Sequence, residues 1–152
     1  MRNAHRQPML LGGFVALLAI LGSALRVAVV QGESMLPTFQ DGQILLVDRW
    51  AYARAAPARG DVVLLRRAND VLIKRIAYLP GDTIDPKAAR AFRAVTDTFD
   101  KPTAPASQGL VVPKGVVVVL GDNPAKSDDS RAFGPAPIRD LIGRVIGAPP
   151  LR

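Results

Sequence analysis

Residues 71–82 read VLIKRIAYLPGD, an apolar run holding two adjacent cations and stopped by a Pro-Gly-Asp turn. Alternation with period two places Leu72, Lys74, Ile76 and Tyr78 on one face of a strand and Val71, Ile73, Arg75 and Ala77 on the other. One face thus carries a lysine among three large, mainly apolar side chains. Two arrangements satisfy this pattern. Either Lys74 lies on an exposed sheet face and Arg75 reaches the core only through its stem, or Lys74 is buried. In the second case lost hydration lowers its pKa from about 10.4 towards a neutral amine.

The same grammar of short apolar runs between turn signals recurs along the chain. QILLV (43–47) lies between Asp-Gly and Asp-Arg, RGDVVLLR (59–66) enters from a turn, and GVVVVLGDN (115–123) ends in one. LIGRVI (141–146) is a further apolar piece in which Gly143 marks a bulge or a close backbone approach. Without alternating long helical patterns, these runs predict a mostly β fold, an antiparallel β-barrel or sandwich. The exception is PKAARAFRAVTDTF (86–99), whose alanines and first-turn proline predict a short helix inside an insertion spanning 83–113.

Ahead of the β-rich part, Met9–Leu25 carries no formal charge and an apolar stretch continues past Arg26 to Val30. As a helix, residues 9–30 would cover roughly 33 Å, enough for one transmembrane span. The basic start, residues 1–8, predicts a cytoplasmic N-terminus with residues 31–152 on the far side. A cleaved secretory signal peptide has the same order of parts and is the competing reading. The net charge of +7 suits anionic headgroups, whereas 5% aromatic content and no basic cluster interleaved with stacking residues argue against nucleic acid.

Composition also restricts the chemistry. There is no cysteine, and the single histidine, His5, precedes the apolar run, so the β-rich part can form neither a Ser-His-Asp triad nor a histidine-based zinc site. A serine nucleophile there needs a lysine or a carboxylate as its base. GESMLPTFQDG (32–42) presents Ser34 either as an ordinary turn residue or as such a nucleophile, with Lys74 as the base to consider.

Together these motifs resemble the type I signal peptidases, membrane-bound serine proteases that remove signal peptides from exported proteins. The similarity lies in four blocks in the family's order: SMLPT (34–38), RGDVVLL (59–65), IKRIAYLPGD (73–82) and GDNPAKSDDSRAFGPAPIRDLIGRV (121–145). The resemblance implies Ser34 as nucleophile and Lys74 as general base, with the Ser34 N–H stabilising the oxyanion. Some members add a hydroxyl two residues before the nucleophile, where this chain has Gly32. The resemblance further implies that Ser127 hydrogen-bonds the Lys74 amine and that Asp129 pairs with Arg131 beneath the site. Met35, Leu36, Pro37 and Ile73 are expected to bind substrate, and Met35, Leu36 and Phe39 to dip into the membrane interface.

No metal or cofactor is implied. The expected partners are preproteins bearing signal peptides, the lipid bilayer and the export machinery, at a bacterial cytoplasmic membrane with the catalytic domain outside. Two departures stand out: PAK (124–126) replaces the usual polar residues after Gly-Asp-Asn, and the stretch between Asp82 and Gly115 is too short for a large extra β-domain. The alternatives are a Ser-Lys peptidase dedicated to one pilin or conjugation substrate, and a non-enzymatic anchored β-domain that binds peptides.

Overall fold

A computed structural model of the chain describes residues 24–92 and 109–148. Nine strands form: β1 (Leu25–Val29), β2 (Ile44–Asp48), β3 (Val62–Arg67), β4 (Asp70–Tyr78), β5 (Thr83–Ile84), β6 (Leu110–Val111), β7 (Val116–Leu120), β8 (Ala136–Pro137) and β9 (Leu141–Gly147). Seven of them make one antiparallel sheet in the order β1-β2-β9-β3-β4-β7-β8, and β5 and β6 pair separately. Among the described residues the sheet does not close into a barrel: β1 and β8 remain its edges.

The strand pattern corrects the expected membrane span at its end. Residues 1–23 of the span and its basic start lie outside the described residues, but Leu25–Val29 is a strand paired antiparallel with β2, so a helix cannot run to Val30. An apolar run of this length is compatible with either structure by periodicity alone, and pairing with β2 decides it. Among the described residues no helix is long and apolar enough to cross a membrane.

β7 explains how two cores share one strand. Val117 and Val119 point into the cluster containing Val63, Leu65, Ile76 and Ala136, while Val118 points the other way, onto Ile84, Phe92, Leu110 and Val112. Both faces of this strand are covered, so its sequence is a continuous valine run rather than an alternation. The second cluster is the insertion. Its α-helix spans Pro86–Ala89, with Asp85 capping the N–H groups of Lys87 and Ala88, and a 3₁₀ turn continues through Phe92; residues 93–108 lie outside the described residues.

β4 keeps the expected alternation up to Ile76. There the register against β7 shifts, and Tyr78 turns towards the second cluster instead of sharing the Lys74 face. At its other end, β4 joins β3 through a two-residue turn at Ala68–Asn69, where Ala68 adopts φ of 50°. Positive φ at the first central residue is a feature of the primed hairpin turns, which twist the strands in the direction the sheet requires.

Gly143 sits where β9 passes closest to the end of β2. A Cβ at this position would lie 2.6 Å from the Asp48 carbonyl oxygen and 2.9 Å from Val47 Cγ1, so backbone would have to move. Gly143→Ala is expected to lower unfolding stability by about 1–3 kcal/mol, as for other overpacked sites. An unchanged denaturation midpoint would show that β2 and β9 separate at no cost.

Candidate active site

The turn that carries Ser34 is assembled from its ends inward. Val30 N–H donates to the Gln43 carbonyl and Gly42 N–H to the Val30 carbonyl, both at 2.9 Å, closing the loop between β1 and β2. Gly32, at φ of 84°, makes the reversal that an L side chain would resist, and its N–H donates to Asp41 Oδ1 at 2.7 Å. Met35 is then driven into the interior, 1% exposed, which leaves the neighbouring Ser34 half-buried beside a cleft.

A second turn clamps the first. Asn123 N–H donates to the Ser34 carbonyl at 3.0 Å and its Nδ2 to the Glu33 carbonyl at 3.1 Å. Thr38 Oγ1 donates to Asp122 Oδ2 at 2.5 Å, and Arg75 grips both Asp122 oxygens, from Nε at 2.9 Å and Nη2 at 2.7 Å. This bidentate bond holds the Asp122 carboxyl below the ordinary carboxylate range, despite partial burial. Arg75 follows Lys74 directly in β4, so one strand supplies both the lysine and the anchor of the turn that fixes the serine.

Lys74 Nζ donates to Ser34 Oγ at 2.9 Å. The lysine is only 3% exposed, on the same side of β4 as Ile76, which excludes the solvated-strand arrangement. Burial pushes its pKa below the ordinary lysine value, against the attraction of Asp129 and then Asp128, which favours the ammonium. Asp128 was not anticipated from sequence; its place in the SDDS run (127–130) beside Asp129 was the available signal.

Asp129 is fully buried and carries its own counterion. Arg131 donates to it from Nε at 2.8 Å and from Nη2 at 2.5 Å, and Gly121 N–H donates at 3.0 Å. Burial alone would raise the Asp129 pKa, but these bonds outweigh it and hold the carboxyl below its usual value. A pair with one partner at 0% exposure is not an ordinary surface ion pair. The neighbouring Ser130 hydroxyl, also buried, accepts from Val119 N–H and ties this loop to β7.

Several expected contacts are not made. Ser127 Oγ is buried and does not contact the Lys74 amine; its hydroxyl lies beside Asp129, where it helps hold that carboxyl below its usual pKa. Ser34 has taken that contact, and the Ser127 hydroxyl is left against Gly121. The Gly32 N–H faces Asp41, not an oxyanion position. The Ser34 N–H has no partner among the described residues and is the free donor beside the hydroxyl.

The adjoining cleft has a volume of about 490 Å³ and runs between Ala28–Gln31 on one wall and Asn69–Lys74 on the other. Met35 and Ile73 line it, whereas Leu36 and Pro37 do not. Met35 is buried and therefore cannot reach a membrane interface, contrary to expectation. PAK (124–126) forms a single 3₁₀ turn and leaves the Asn123 clamp in place. Among the described residues no group of three or more His, Cys, Asp or Glu side chains is placed to hold a metal ion.

Comparison with known proteins bears on the same residues. Signal peptidase I V of Bacillus subtilis (strain 168) is 36% identical over 138 residues, covering 78% of this chain and 82% of that protein. The Arabidopsis thaliana mitochondrial ATP-independent inner membrane protease subunit 1b is 37% identical over 123 residues, covering 78% of this chain and 66% of that protein. A crystal structure of a signal peptidase I from Enterococcus faecalis V583 superposes with a TM-score of 0.43 at 27% identity, over 59% of this chain and 97% of that one. The family model described as signal peptidase, peptidase S26, matches residues 6–148, a stretch that contains the serine turn, the lysine strand and the clamping turn alike. With that match and those relatives, the chain belongs to the signal peptidase family, peptidase S26.

Proposed function

We propose that this chain is a serine endopeptidase that cleaves N-terminal signal peptides from exported preproteins, with Ser34 as nucleophile and Lys74 as general base. The observation that carries the assignment is the 2.9 Å contact between Lys74 Nζ and Ser34 Oγ, made by an amine excluded from water. In its neutral form the Lys74 amine accepts the Ser34 proton as Oγ attacks the scissile carbonyl. The free Ser34 N–H faces the developing oxyanion. The resulting lysine ammonium returns its proton to the leaving amine, giving an acyl-enzyme. That leaving amine is the N-terminus of the mature protein, and a water deprotonated by Lys74 then hydrolyses the ester and releases the signal peptide from Ser34.

Recognition follows from an open sheet edge. β4 pairs with β7 only from Arg75 onward, so the earlier part of the strand presents unpaired backbone towards the cleft. An extended substrate segment can add there as a strand, with its side chains alternating into the pockets beside Met35 and Ile73. The Asp129–Arg131 pair supports the loop behind the lysine and is assigned a positioning role, as is Ser127. We place the protein at a membrane through the apolar run of residues 9–24, with the catalytic part outside the cytoplasm, where preproteins emerge tethered by their own apolar segments.

Ser34→Ala and Lys74→Met should each abolish cleavage of an alanine-x-alanine preprotein by the purified enzyme in detergent. The unfolding midpoint should not fall in Lys74→Met, since no dehydrated amine remains to accommodate. Substantial cleavage by either variant would remove the dyad. A panel of unrelated preproteins separates a general enzyme from one dedicated to a single substrate.

The pH dependence follows from the direction of the Lys74 shift. Its pKa is lowered in the folded protein, so the active neutral form persists to lower pH than for a free lysine, and activity is lost as pH falls through that value. The kcat/KM profile should show a single ionisation on the acid side, rising with pH as Lys74 loses its proton; a rate unchanged well below neutrality would exclude a lysine base.

Gly121 gives an independent check on geometry. A Cβ there would overlap the Ser127 side chain and lie 2.6 Å from the Ser34 carbonyl oxygen. Gly121→Ala should therefore displace the nucleophile and lower kcat by about 10²-fold or more, with little change in KM. An unaltered kcat would mean that the two turns are not rigidly clamped.

A further inference from the structure

The cleft is not uniform along its length. Near Ser34 it is lined by Val30, Met35, Leu64 and Ile73, but its far end reaches the tip of the β3–β4 hairpin, at Asn69 and Asp70. Asp70 and Lys74 are the two ionisable groups in the lining, and Lys74 is committed to Ser34. Asp70 is exposed, and its carboxylate makes no hydrogen bond or ion pair among the described residues.

Its freedom has a structural cause. The cross-strand neighbour of Asp70 is Arg67, the natural counterion for a hairpin end. Arg67 instead lays its guanidinium over the Phe133 ring, 4.3 Å from the centroid. A carboxylate is therefore left uncompensated at the mouth of a cleft, in a chain whose formal net charge is +7.

We propose that Asp70 is a specificity-determining residue, forming a cation-accepting subsite at the outer end of the cleft. This rests on the proteolytic reading of the Ser34–Lys74 site. Asp70 stands four positions before Lys74 on the edge that is free of β7, a separation of roughly 13 Å at 3.3 Å per strand residue. A substrate strand laid along that edge brings to Asp70 a residue four or five positions from the cleaved bond. The favoured substrates carry lysine or arginine at that position, and glutamate or aspartate there is disfavoured.

The test uses the full-length enzyme in detergent with peptides containing one alanine-x-alanine cleavage site. A single lysine, glutamine or glutamate is moved from three to six residues away, on either side of the cut. At low salt, wild type should cleave the lysine peptide about three- to fivefold better in kcat/KM than the glutamate peptide at one of these positions, the size expected of an exposed ion pair. The preference should shrink with added salt.

In Asp70→Asn the lysine-to-glutamate ratio should fall to about one at that position, and in Asp70→Lys it should invert. Wild type that cleaves all peptides equally, or a ratio that survives in Asp70→Asn, overturns the subsite while leaving the protease assignment intact. Failure of wild type to cut any of the peptides or an authentic preprotein removes both.

Discussion

An amine kept from water is pushed towards its neutral form, and for Lys74, the proposed base, this exclusion places demands on everything around it. Lys74 lies inside a strand, whose pairing with β3 satisfies backbone groups while the long side chain enters the core. At Lys74 the strand is paired on one side only, with Val63 of β3, and β7 joins its other side from Arg75 onward. The carboxylates that pull the amine back towards its charged form must also be restrained. Asp129, the stronger of them, is held by Arg131 and the Gly121 N–H rather than left to pair with the lysine. The buried ion pair thus makes the buried amine tolerable without neutralising its purpose.

The serine is placed by different means. Its turn has little regular structure, and its position is set by one buried side chain, Met35, and by bonds from the Asp122–Asn123 turn. Because Arg75 holds Asp122 and Lys74 precedes Arg75, the proposed nucleophile and base refer to the same strand. Relative motion between them therefore requires breaking a charge-assisted, bidentate contact. A contact between residues forty positions apart in sequence, the proposed catalytic dyad, is reduced to short, local geometry.

Five strands could be read before the fold was seen, because each is bounded by Gly, Pro or Asp turn residues and carries β-branched or leucine side chains. The Ser34–Lys74 pairing could be approached by eliminating histidine and cysteine and then by noting the company Lys74 keeps. β1 could not, since an apolar run leading out of a longer apolar run carries no boundary signal. The two-residue strand β8 and the one-turn helix Ser130–Phe133 are too short for periodicity to register. That the Ser127 hydroxyl sides with Asp129 and not with the Lys74 amine, and that the Gly32 amide is engaged by Asp41, depends on which of several nearby partners wins, and three-dimensional packing alone settles that competition.

The hairpin between β3 and β4 has a consequence for when the enzyme becomes active. A strand has only two faces, and a slip of one residue against β3 would send Lys74 outward and bring Arg75 inward. A guanidinium cannot give up its proton at any physiological pH, so a misregistered chain is chemically silent however compact it becomes. The tight turn at Ala68–Asn69 counts out the correct alignment. Under the proposed dyad, activity is thereby tied to the register of a single hairpin, and the chain acquires its base only with its correctly paired fold.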